Sequence, residues 1–507
     1  MNPTKQLALG LLALLWCALP ASAADGPTPP KAEKKDDPGK ESFAETTHTI
    51  TVAGAKLEYR ATAGTLPLKD DEGKTTANVF FVAYTKTGVD DLSKRPITFA
   101  FNGGPGSSSV WLHLGAFGPK RVVLGDEGDA PQPPYRLVDN EDTLLDLTDL
   151  VFIDPVSTGY SRSPEPKEEA QFHSVEGDVH SVGDFIRLYV TRFNRWQSPK
   201  FLAGESYGTT RAAGLSGYLQ DRHGLYLNGI ILVSAVLNFE TLRFGDGNDL
   251  PYVLFLPTYT AAAAYHKKLS SDLRSDLPKT LAEVEKFALG EYATALMKGD
   301  ALPEDERREI EQKLARYTGL SADFIARNNL RIDQSRFCKE LLRDEHRVAG
   351  RYDSRITGPD SDPATERPGY DPSDAAVKGA FTAAFNEYAR NELKYDNDAT
   401  YEILTTKVQP WDFGDAKNRF LNVGPTLQKA MTQNRDLRVF VANGHYDLAT
   451  PFLATEYTFN HLGLEPALRD HVTMGYYDAG HMMYIRPSEH AKLKKDLAAF
   501  YKSALPK

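Results

Sequence analysis

Several early runs of the chain alternate between apolar and polar residues, which is the pattern of half-buried strands. We predict strands at residues 48–52, 56–63, 78–85 and 97–101. The sequence Asp-Asp-Glu-Gly at residues 70–73 is typical of a turn between two of them. Strands joined by short turns pair antiparallel, so we expect an antiparallel edge at the start of the fold.

Strand and helix patterns alternate in the next part of the chain. In chain order, the predicted elements are a strand at 149–154, a helix at 174–195, a strand at 200–203, a helix after Tyr207 and a strand at 228–234. A helix between two strands acts as a crossover, which makes the strands parallel and covers the faces of the sheet. We therefore predict an α/β fold with a doubly wound, mostly parallel sheet.

Helical patterns dominate between residues 238 and 422. The predicted elements are helices at 280–298, 304–318 and 375–393 and a loop rich in Pro, Asp and Gly at 352–372 without a strand. Sheet patterns then return at 437–442 and 471–474, and a last helix is predicted at 488–503. We interpret residues 238–422 as a helical cap inserted into a core of residues 47–237 and 423–507.

The chain begins with the pattern of a secretory signal. Lys5 precedes an apolar run at residues 7–19, and residues 21–23 read Ala-Ser-Ala. The run is too short to span the roughly 30 Å of hydrocarbon in a membrane, which argues against an anchor. Lipid attachment at Cys17 is the other alternative, but a bulky residue precedes this cysteine. We predict that residues 1–23 are a signal peptide.

Residues 24–46 are rich in Pro, Lys, Asp and Glu, so we predict a disordered leader that cannot offset its ordering entropy by burial. The chain has 2 cysteines, and removal of residues 1–23 would leave Cys338 alone, without an internal disulfide or a thiolate zinc site. An exported protein without disulfides suits a bacterial cell. We therefore expect a bacterial protein that is periplasmic or secreted.

Composition excludes further classes of function. Lys and Arg number 59 against 69 Asp and Glu, for a net charge of −10, and no long basic run occurs, so we expect no nucleic-acid partner. After signal cleavage we expect no membrane association. The sequence has no metal-ligand spacing, so we predict no metal and no cofactor. Oligomeric state is left open.

Residues 204–208 read Gly-Glu-Ser-Tyr-Gly and follow a predicted strand directly. A G-x-S-x-G pentapeptide alone is a weak signal that a glycine-flanked turn would also produce. Between a strand and a helix, however, it is typical of the nucleophile elbow of α/β-hydrolases, in which glycines permit a strained turn that exposes the serine. This context makes Ser206 the candidate nucleophile.

An elbow of this kind requires an acid and then a histidine after later strands. Asp447 follows the strand predicted at 437–442, and His481 lies in a glycine-framed loop after the last predicted strand. His481 would act as the base, and Asp447 would fix its tautomer and stabilise the imidazolium. His445 and Asp478 are the alternatives for these two roles.

A glycine-rich loop, Asn-Gly-Gly-Pro-Gly-Ser-Ser-Ser, occupies residues 102–109 after the strand predicted at 97–101. Its backbone N–H groups could approach an oxyanion, as the second donor of an α/β-hydrolase does. A phosphate-binding loop is the alternative, but the lysine that follows the glycines of a P-loop is missing.

Four motifs together resemble the serine carboxypeptidases, over most of the chain from about residue 47 onward. They are the glycine loop at 102–106, the segment Asp-Pro-Val-Ser-Thr-Gly-Tyr-Ser at 154–161, the elbow at 204–208 and Gly-His-Met at 480–482. The glutamate before the elbow serine distinguishes this family from lipases and esterases. The resemblance implies an α/β-hydrolase fold.

The resemblance also implies roles for individual residues. It implies a triad of Ser206, Asp447 and His481 and an oxyanion hole formed by the backbone N–H groups of Gly104 and Tyr207. It implies that three residues bind the free carboxylate of the peptide C-terminus; they are Asn102, Gly103 and Glu205.

The chain departs from the family pattern in three respects. A second glutamate that family members often place fourteen residues after the loop asparagine is Ala116 here, so the carboxylate-binding pair is incomplete. The disulfides of eukaryotic members are absent, and the cap has its own sequence. Side-chain preference therefore cannot be transferred from the family.

The expected function is that of a serine-type carboxypeptidase, which releases C-terminal residues from peptides or proteins through an acyl-enzyme on Ser206. An esterase or acyltransferase that uses the same triad is the alternative, and a non-catalytic binding protein is a third. Glu205 and Asn102 argue against the esterase, because an ester acyl group carries no carboxylate to recognise. Aromatic residues are candidates for pocket lining; they are Trp111, Tyr252, Phe255 and Tyr259.

Overall fold

The computed structural model describes residues 42–129 and 131–505. Its strands in chain order are β1 (Ser42–Val52), β2 (Ala55–Lys69), β3 (Thr75–Lys86), β4 (Ile97–Phe101), β5 (Lys120–Val122), β6 (Leu137–Asp139), β7 (Asp149–Ile153), β8 (Lys200–Glu205), β9 (Gly229–Val233), β10 (Arg347–Ala349), β11 (Thr357–Pro359), β12 (Arg438–Gly444) and β13 (Val472–Tyr477). Residues 70–73 turn the chain between β2 and β3, as predicted.

Nine strands form one sheet in the order β1-β2-β3-β7-β4-β8-β9-β12-β13. The first three strands and the β3–β7 pair are antiparallel, and every later pair is parallel. All residues of β4, β7 and β9 are buried, as expected for parallel strands that are covered on both faces. The predicted α/β-hydrolase architecture with an antiparallel edge is confirmed.

The α-helices in chain order are α1 (Val175–Arg192), α2 (Tyr207–His223), α3 (Leu250–Tyr265), α4 (Ser271–Arg274), α5 (Leu277–Phe287), α6 (Ala293–Lys298), α7 (Glu304–Thr318), α8 (Ala322–Arg327), α9 (Gln334–Glu340), α10 (Pro372–Asn391), α11 (Gly424–Gln433), α12 (Phe452–Asn460), α13 (Pro466–Arg469) and α14 (Pro487–Ala504). In the described ranges no helix is long and apolar enough to cross a bilayer.

Alternating residues of the sheet supply two apolar layers. Phe81 and Leu202 point to the layer that contains α1, α2 and α11. Phe80 and Phe201 point to the opposite layer, which contains α10, α14 and the helical turn Leu112–Phe117. Successive side chains of a central strand enter opposite layers, and both layers are apolar. Each central strand is therefore a continuous apolar run in the sequence.

The predicted end of the leader at residue 46 is wrong. β1 begins at Ser42 and pairs with β2 without interruption from Ser42 opposite Thr65 to Val52 opposite Ala55. Backbone pairing holds residues 42–46, whose side chains are exposed or half-buried, so composition alone did not reveal them. The predicted signal peptide and the rest of the leader lie outside the described residues.

The predicted cap at residues 238–422 does not behave as one unit. Helices α3 and α5 to α9 share an apolar cluster of their own. In contrast, α10 contributes Phe381 and Phe385 to the apolar layer of the sheet that also contains α14. The loop at 352–372 contains β11, which pairs with β10, although we predicted no strand there. A three-residue strand carries too few positions to show an alternating pattern.

Candidate active site

Ser206 lies between the end of β8 and the start of α2, with backbone angles φ 59° and ψ −129°. This region is rarely adopted by residues other than glycine, so the backbone is strained at this position. A Cβ on Gly204 would lie 2.2 Å from the carbonyl oxygen of Gly208, and a Cβ on Gly208 would lie 2.8 Å from that of Phe101. The turn therefore requires both glycines, and it leaves Ser206 partly exposed at the carboxyl edge of the sheet.

The loops after β12 and β13 bring Asp447 and His481 together. The Nδ1–H group of His481 donates to Oδ2 of Asp447 over 2.8 Å, and both side chains are buried. Oδ1 of Asp447 accepts from the backbone N–H groups of Ala449 and Thr450, and Oδ2 also accepts from the Thr450 hydroxyl. These four donors fix the carboxylate in one orientation.

The same contact sets the direction in which the pKa of His481 is shifted. Burial disfavours the protonated form of His481, but the adjacent carboxylate of Asp447 outweighs it and raises the pKa above the ordinary value. A base held in this way is neutral at alkaline pH and is charged more readily than a free histidine as the pH falls.

The histidine loop is held by the segment that follows β10. The N–H group of His481 donates to the carbonyl of Tyr352 over 2.6 Å, and that of Gly480 donates to Oδ2 of Asp353 over 3.1 Å. Arg355 in turn donates to both oxygens of Asp353. A Cβ on Gly480 would lie 2.4 Å from the Tyr352 carbonyl, so the loop and this segment are in backbone contact.

Glu205 is buried directly before the nucleophile, with 3% of its surface exposed. Its Oε2 accepts a hydrogen bond of 2.6 Å from the Tyr484 hydroxyl, and the Asn102 amide is a second donor. Burial raises the pKa of Glu205 to about 7, against the lowering effects of His481 and of these hydrogen bonds. The carboxyl group therefore exists in its neutral form at mildly acidic pH.

The glycine loop lies against the backbone of the elbow. A Cβ on Gly103 would be 2.4 Å from the backbone nitrogen of Tyr207 and 2.5 Å from that of Gly208. Gly104 has φ 99°, a left-handed conformation that favours glycine. Tyr207 is the first residue of α2, so its N–H group has no acceptor within the helix.

Buried hydrogen bonds at Asn102 and at Asp154 hold this loop in place. The carbonyl of Asn102 accepts from the guanidinium of Arg211 over 2.6 Å, and its side-chain oxygen accepts from the N–H group of Leu112 over 3.1 Å. Asp154, at the start of the motif at 154–161, accepts from both the N–H group and the hydroxyl of Ser109. Two of the four sequence motifs thus form one packed unit.

One cavity collects most of the predicted site residues. Its lining consists of Asn102, Gly103, Gly104, Ser107, Trp111, Glu205, Ser206, Arg351, Tyr352, Asp374, Val377, Leu404, His481 and Met482. Asp447 and Tyr207 do not line it. Asp447 lies behind His481, and Tyr207 is buried at the start of α2.

The alternative candidates for the catalytic base and acid do not line the active-site cavity. His445 and Asp478 line a separate groove beside α5 and α12, and burial lowers the pKa of His445. Of the aromatic candidates, Trp111 lines the active-site cavity, whereas Phe255 and Tyr259 are buried in the apolar cluster of the cap helices. Tyr252 packs against that cluster.

Sequence reasoning missed the wall supplied by Arg351, Tyr352, Asp374 and Leu404, which lie in the predicted cap. No local motif marks these residues. Tyr484 was missed as well, although its position three residues after His481 in the same loop was a signal.

Known proteins agree with the fold. The family model of serine carboxypeptidases matches residues 54–490. The chain belongs to the serine carboxypeptidase family. The matched range contains all four motifs and every residue predicted for the site.

Individual members of the serine carboxypeptidase family match shorter stretches. Serine carboxypeptidase-like 34 from Arabidopsis thaliana is 26% identical over 37% of this chain and 37% of its own length. Pheromone-processing carboxypeptidase KEX1 from Saccharomyces cerevisiae is 31% identical over 29% of this chain and 20% of its own length. The matches thus span about a third and a fifth of these two relatives.

The fold comparison covers more of the chain. The crystal structure of the prohormone-processing carboxypeptidase KEX1 from Saccharomyces cerevisiae superposes with a TM-score of 0.55. The match covers 87% of this chain and 91% of that chain at 16% identity, which supports a shared fold.

Asp353→Asn should slow the reaction of Ser206 with a fluorophosphonate by about 10- to 100-fold, because the loop that carries His481 loses a fixed hydrogen-bond acceptor and shifts. The measurement is the labelling rate at several pH values, with circular dichroism as a check on folding. Asp333→Asn is the matched control, since Asp333 binds Arg367 and caps α9. Equal labelling rates in the two variants would contradict a positioning role for Asp353.

Proposed function

We propose that this chain is a serine-type carboxypeptidase that removes C-terminal residues from peptides or proteins through an acyl-enzyme on Ser206. The observation that carries the proposal is the buried carboxyl group of Glu205, which opens on the same cavity as Ser206 and His481. A buried carboxyl group that is neutral near pH 7 is a hydrogen-bond donor for another carboxylate. Family membership supports the proposal independently.

In this mechanism His481 takes the proton of the Ser206 hydroxyl while Oγ attacks the carbonyl carbon of the last peptide bond. Asp447 accepts the hydrogen bond from Nδ1 and stabilises the imidazolium that forms. The backbone N–H groups of Gly104 and Tyr207 bind the oxyanion of the tetrahedral intermediate. His481 then protonates the leaving amine, and the C-terminal residue departs.

Water completes the cycle in a second addition. His481 removes a proton from the water as its oxygen attacks the acyl ester, and the same proton returns to Oγ of Ser206 when the ester bond breaks. The products are the shortened peptide and one free amino acid, and no cofactor takes part in the proposed steps.

Three hydrogen-bond donors bind the carboxylate at the C-terminus of the substrate. They are the side-chain amide of Asn102, the backbone N–H group of Gly103 and the neutral carboxyl group of Glu205. Two ionised carboxylates in contact repel, so binding requires a proton on Glu205. This requirement restricts cleavage to the chain end, because an internal peptide bond presents no carboxylate at this position.

An esterase or acyltransferase that uses the same triad is the second candidate. The membership of a plant protein named serine carboxypeptidase-like in the same family keeps this candidate open. A buried Glu205 in the cavity argues against it, because a neutral ester offers no charge to a proton-sharing carboxyl group.

Ser206→Ala should lower kcat by roughly 10⁴- to 10⁶-fold while the fold is preserved, because only the oxyanion donors and substrate binding remain. The double variant Ser206→Ala/His481→Ala should be hardly slower, since the triad acts as a unit. Release of free amino acid from a blocked dipeptide measures both. Ser216→Ala in α2 is the control and should keep wild-type turnover. A Ser206→Ala variant that retains a tenth of kcat would refute the assignment.

The affinity for a blocked dipeptide should depend on pH through Glu205. KM should be constant below the pKa of about 7 and rise above it, by up to tenfold per pH unit, as the donor proton is lost. In the opposite direction, kcat should rise with pH as His481 becomes neutral. KM and kcat measured separately from pH 5 to pH 9 test both signs.

Glu205→Gln, which donates without a titrating proton, should give a KM that is flat across this range. Glu285→Gln is the matched control, since burial also raises the pKa of Glu285 to about 7 but Glu285 lies in α5, away from the cavity. Amidated dipeptides and simple esters should bind poorly and without pH dependence. Equal turnover of free and amidated peptides would favour the esterase instead.

We further propose that the chain is exported from a bacterial cell, with cleavage after residue 23. The charged, apolar and small-residue order of the first residues supports this, as does the lack of a second cysteine after that point. The N-terminal sequence of protein recovered from the periplasm or medium of an expressing bacterium should begin at residue 24. Retention in the cytoplasm with an intact N-terminus would contradict it.

A further inference from the structure

Tyr484 contacts Glu205 but does not line the catalytic cavity. It lies in the 3₁₀ turn Met483–Ile485 that follows His481, and its hydroxyl donates to Oε2 of Glu205 over 2.6 Å. The Tyr484 ring lines a different cavity, beside Gly115 and Phe381. Tyr484 therefore contacts the carboxyl group without touching a substrate in the active-site cavity.

The Tyr484 ring fits because Gly115 carries no side chain. A Cβ on Gly115 would lie 2.6 Å from Cε2 of Tyr484, so the ring packs on bare backbone at this position. The next residue, Ala116, is fully buried in the same turn and carries no polar atom in its side chain. This is the residue that stands where family members often have the second glutamate of the carboxylate-binding pair.

We propose that Tyr484 is the positioning residue for Glu205 and that its phenol replaces the second carboxyl group that position 116 lacks. The inference rests on the proposed carboxypeptidase function. It adds to that function a specific role for a residue outside the cavity.

A phenol and a carboxyl group act differently on Glu205. Burial raises the pKa of Tyr484 well above its ordinary value, so the hydroxyl keeps its proton and donates it to Oε2, while the phenol oxygen also has a hydrogen bond with the Asn102 side chain. Since Oε2 is occupied as an acceptor, the proton of neutral Glu205 resides on Oε1. Tyr484 thereby directs the proton to the other oxygen of a carboxyl group that lines the cavity.

A phenol in place of a second carboxyl group also changes how Glu205 titrates. Two carboxyl groups that share a proton titrate as a coupled pair, whereas a single carboxyl group beside a neutral phenol titrates once. A donor to the ionised form lowers the pKa, so Tyr484 opposes the effect of burial on Glu205.

Other charged groups also act on this carboxyl group. His481 lowers the pKa of Glu205 and Asp447 raises it, and Arg351 and Asp374 also line the cavity that Glu205 lines. None of these groups changes in a Tyr484→Phe variant, which removes one oxygen and keeps the ring. The variant therefore removes the hydrogen bonds of the hydroxyl to Glu205 and to the Asn102 side chain and leaves the ring in place.

Tyr484→Phe should move the pH midpoint of the KM rise upward by about one unit, which corresponds to one lost hydrogen bond to the ionised carboxylate. KM at pH 5.5 should rise several-fold because the proton is no longer directed to Oε1, and kcat should stay within about threefold. Blocked dipeptides with free C-termini are the substrates. Tyr501→Phe, which removes a buried hydroxyl bonded to Thr98, is the control and should leave the midpoint unchanged.

A second variant tests the opposite sign. Replacement of Tyr484 by 3-fluorotyrosine strengthens the donor at nearly constant size, so the midpoint should move downward. If Tyr484→Phe raises KM equally at all pH values, or if the fluorinated residue leaves the midpoint in place, Tyr484 has only a packing role and the inference is wrong. Failure of the proposed function is a separate result, because wild type would then cleave amidated peptides or show no pH dependence of KM.

Discussion

The close backbone contact between the glycine loop and the elbow is the constraint on which the site depends. Gly103 has no room for a side chain against the backbone nitrogens of Tyr207 and Gly208, and Gly204 has none against Gly208. The two turns come from β4 and β8, which are neighbours in the sheet. Because nothing separates them, the glycine loop brings Gly104 to the same cavity as Ser206.

The two buried carboxyl groups beside His481 differ in their donors, and this difference separates their proposed roles. Asp447 accepts from two backbone N–H groups, a hydroxyl and the imidazole, which together fix its orientation. Glu205 accepts from one phenol and one amide, and burial dominates its pKa. One fold thus keeps one carboxyl group as a charge partner and leaves the other free to exchange a proton with a ligand.

The region inserted between β9 and β12 consists of two parts that pack differently. Its helices α3 and α5 to α9 pack among themselves, while the segment at 351–355 and α10 reach the catalytic cavity and the main core. The cavity wall therefore combines residues of the family motifs with residues of the inserted region. In that second part, Arg351 and Asp374 bring a basic and an acidic side chain to the wall.

The sequence by itself determined the sheet, its parallel part, the helix at 304–318 and the positions of Ser206, Glu205, Asp447 and His481 relative to strand ends. These features are local, since periodicity and glycine spacing act over a few residues. The tertiary structure decided the start of β1, the pairing of β10 with β11, the wall formed by Arg351 and Asp374 and the contact of Tyr484 with Glu205. Each of these arises from pairing or packing between two separate segments of the chain, and such contacts leave no pattern within either segment alone.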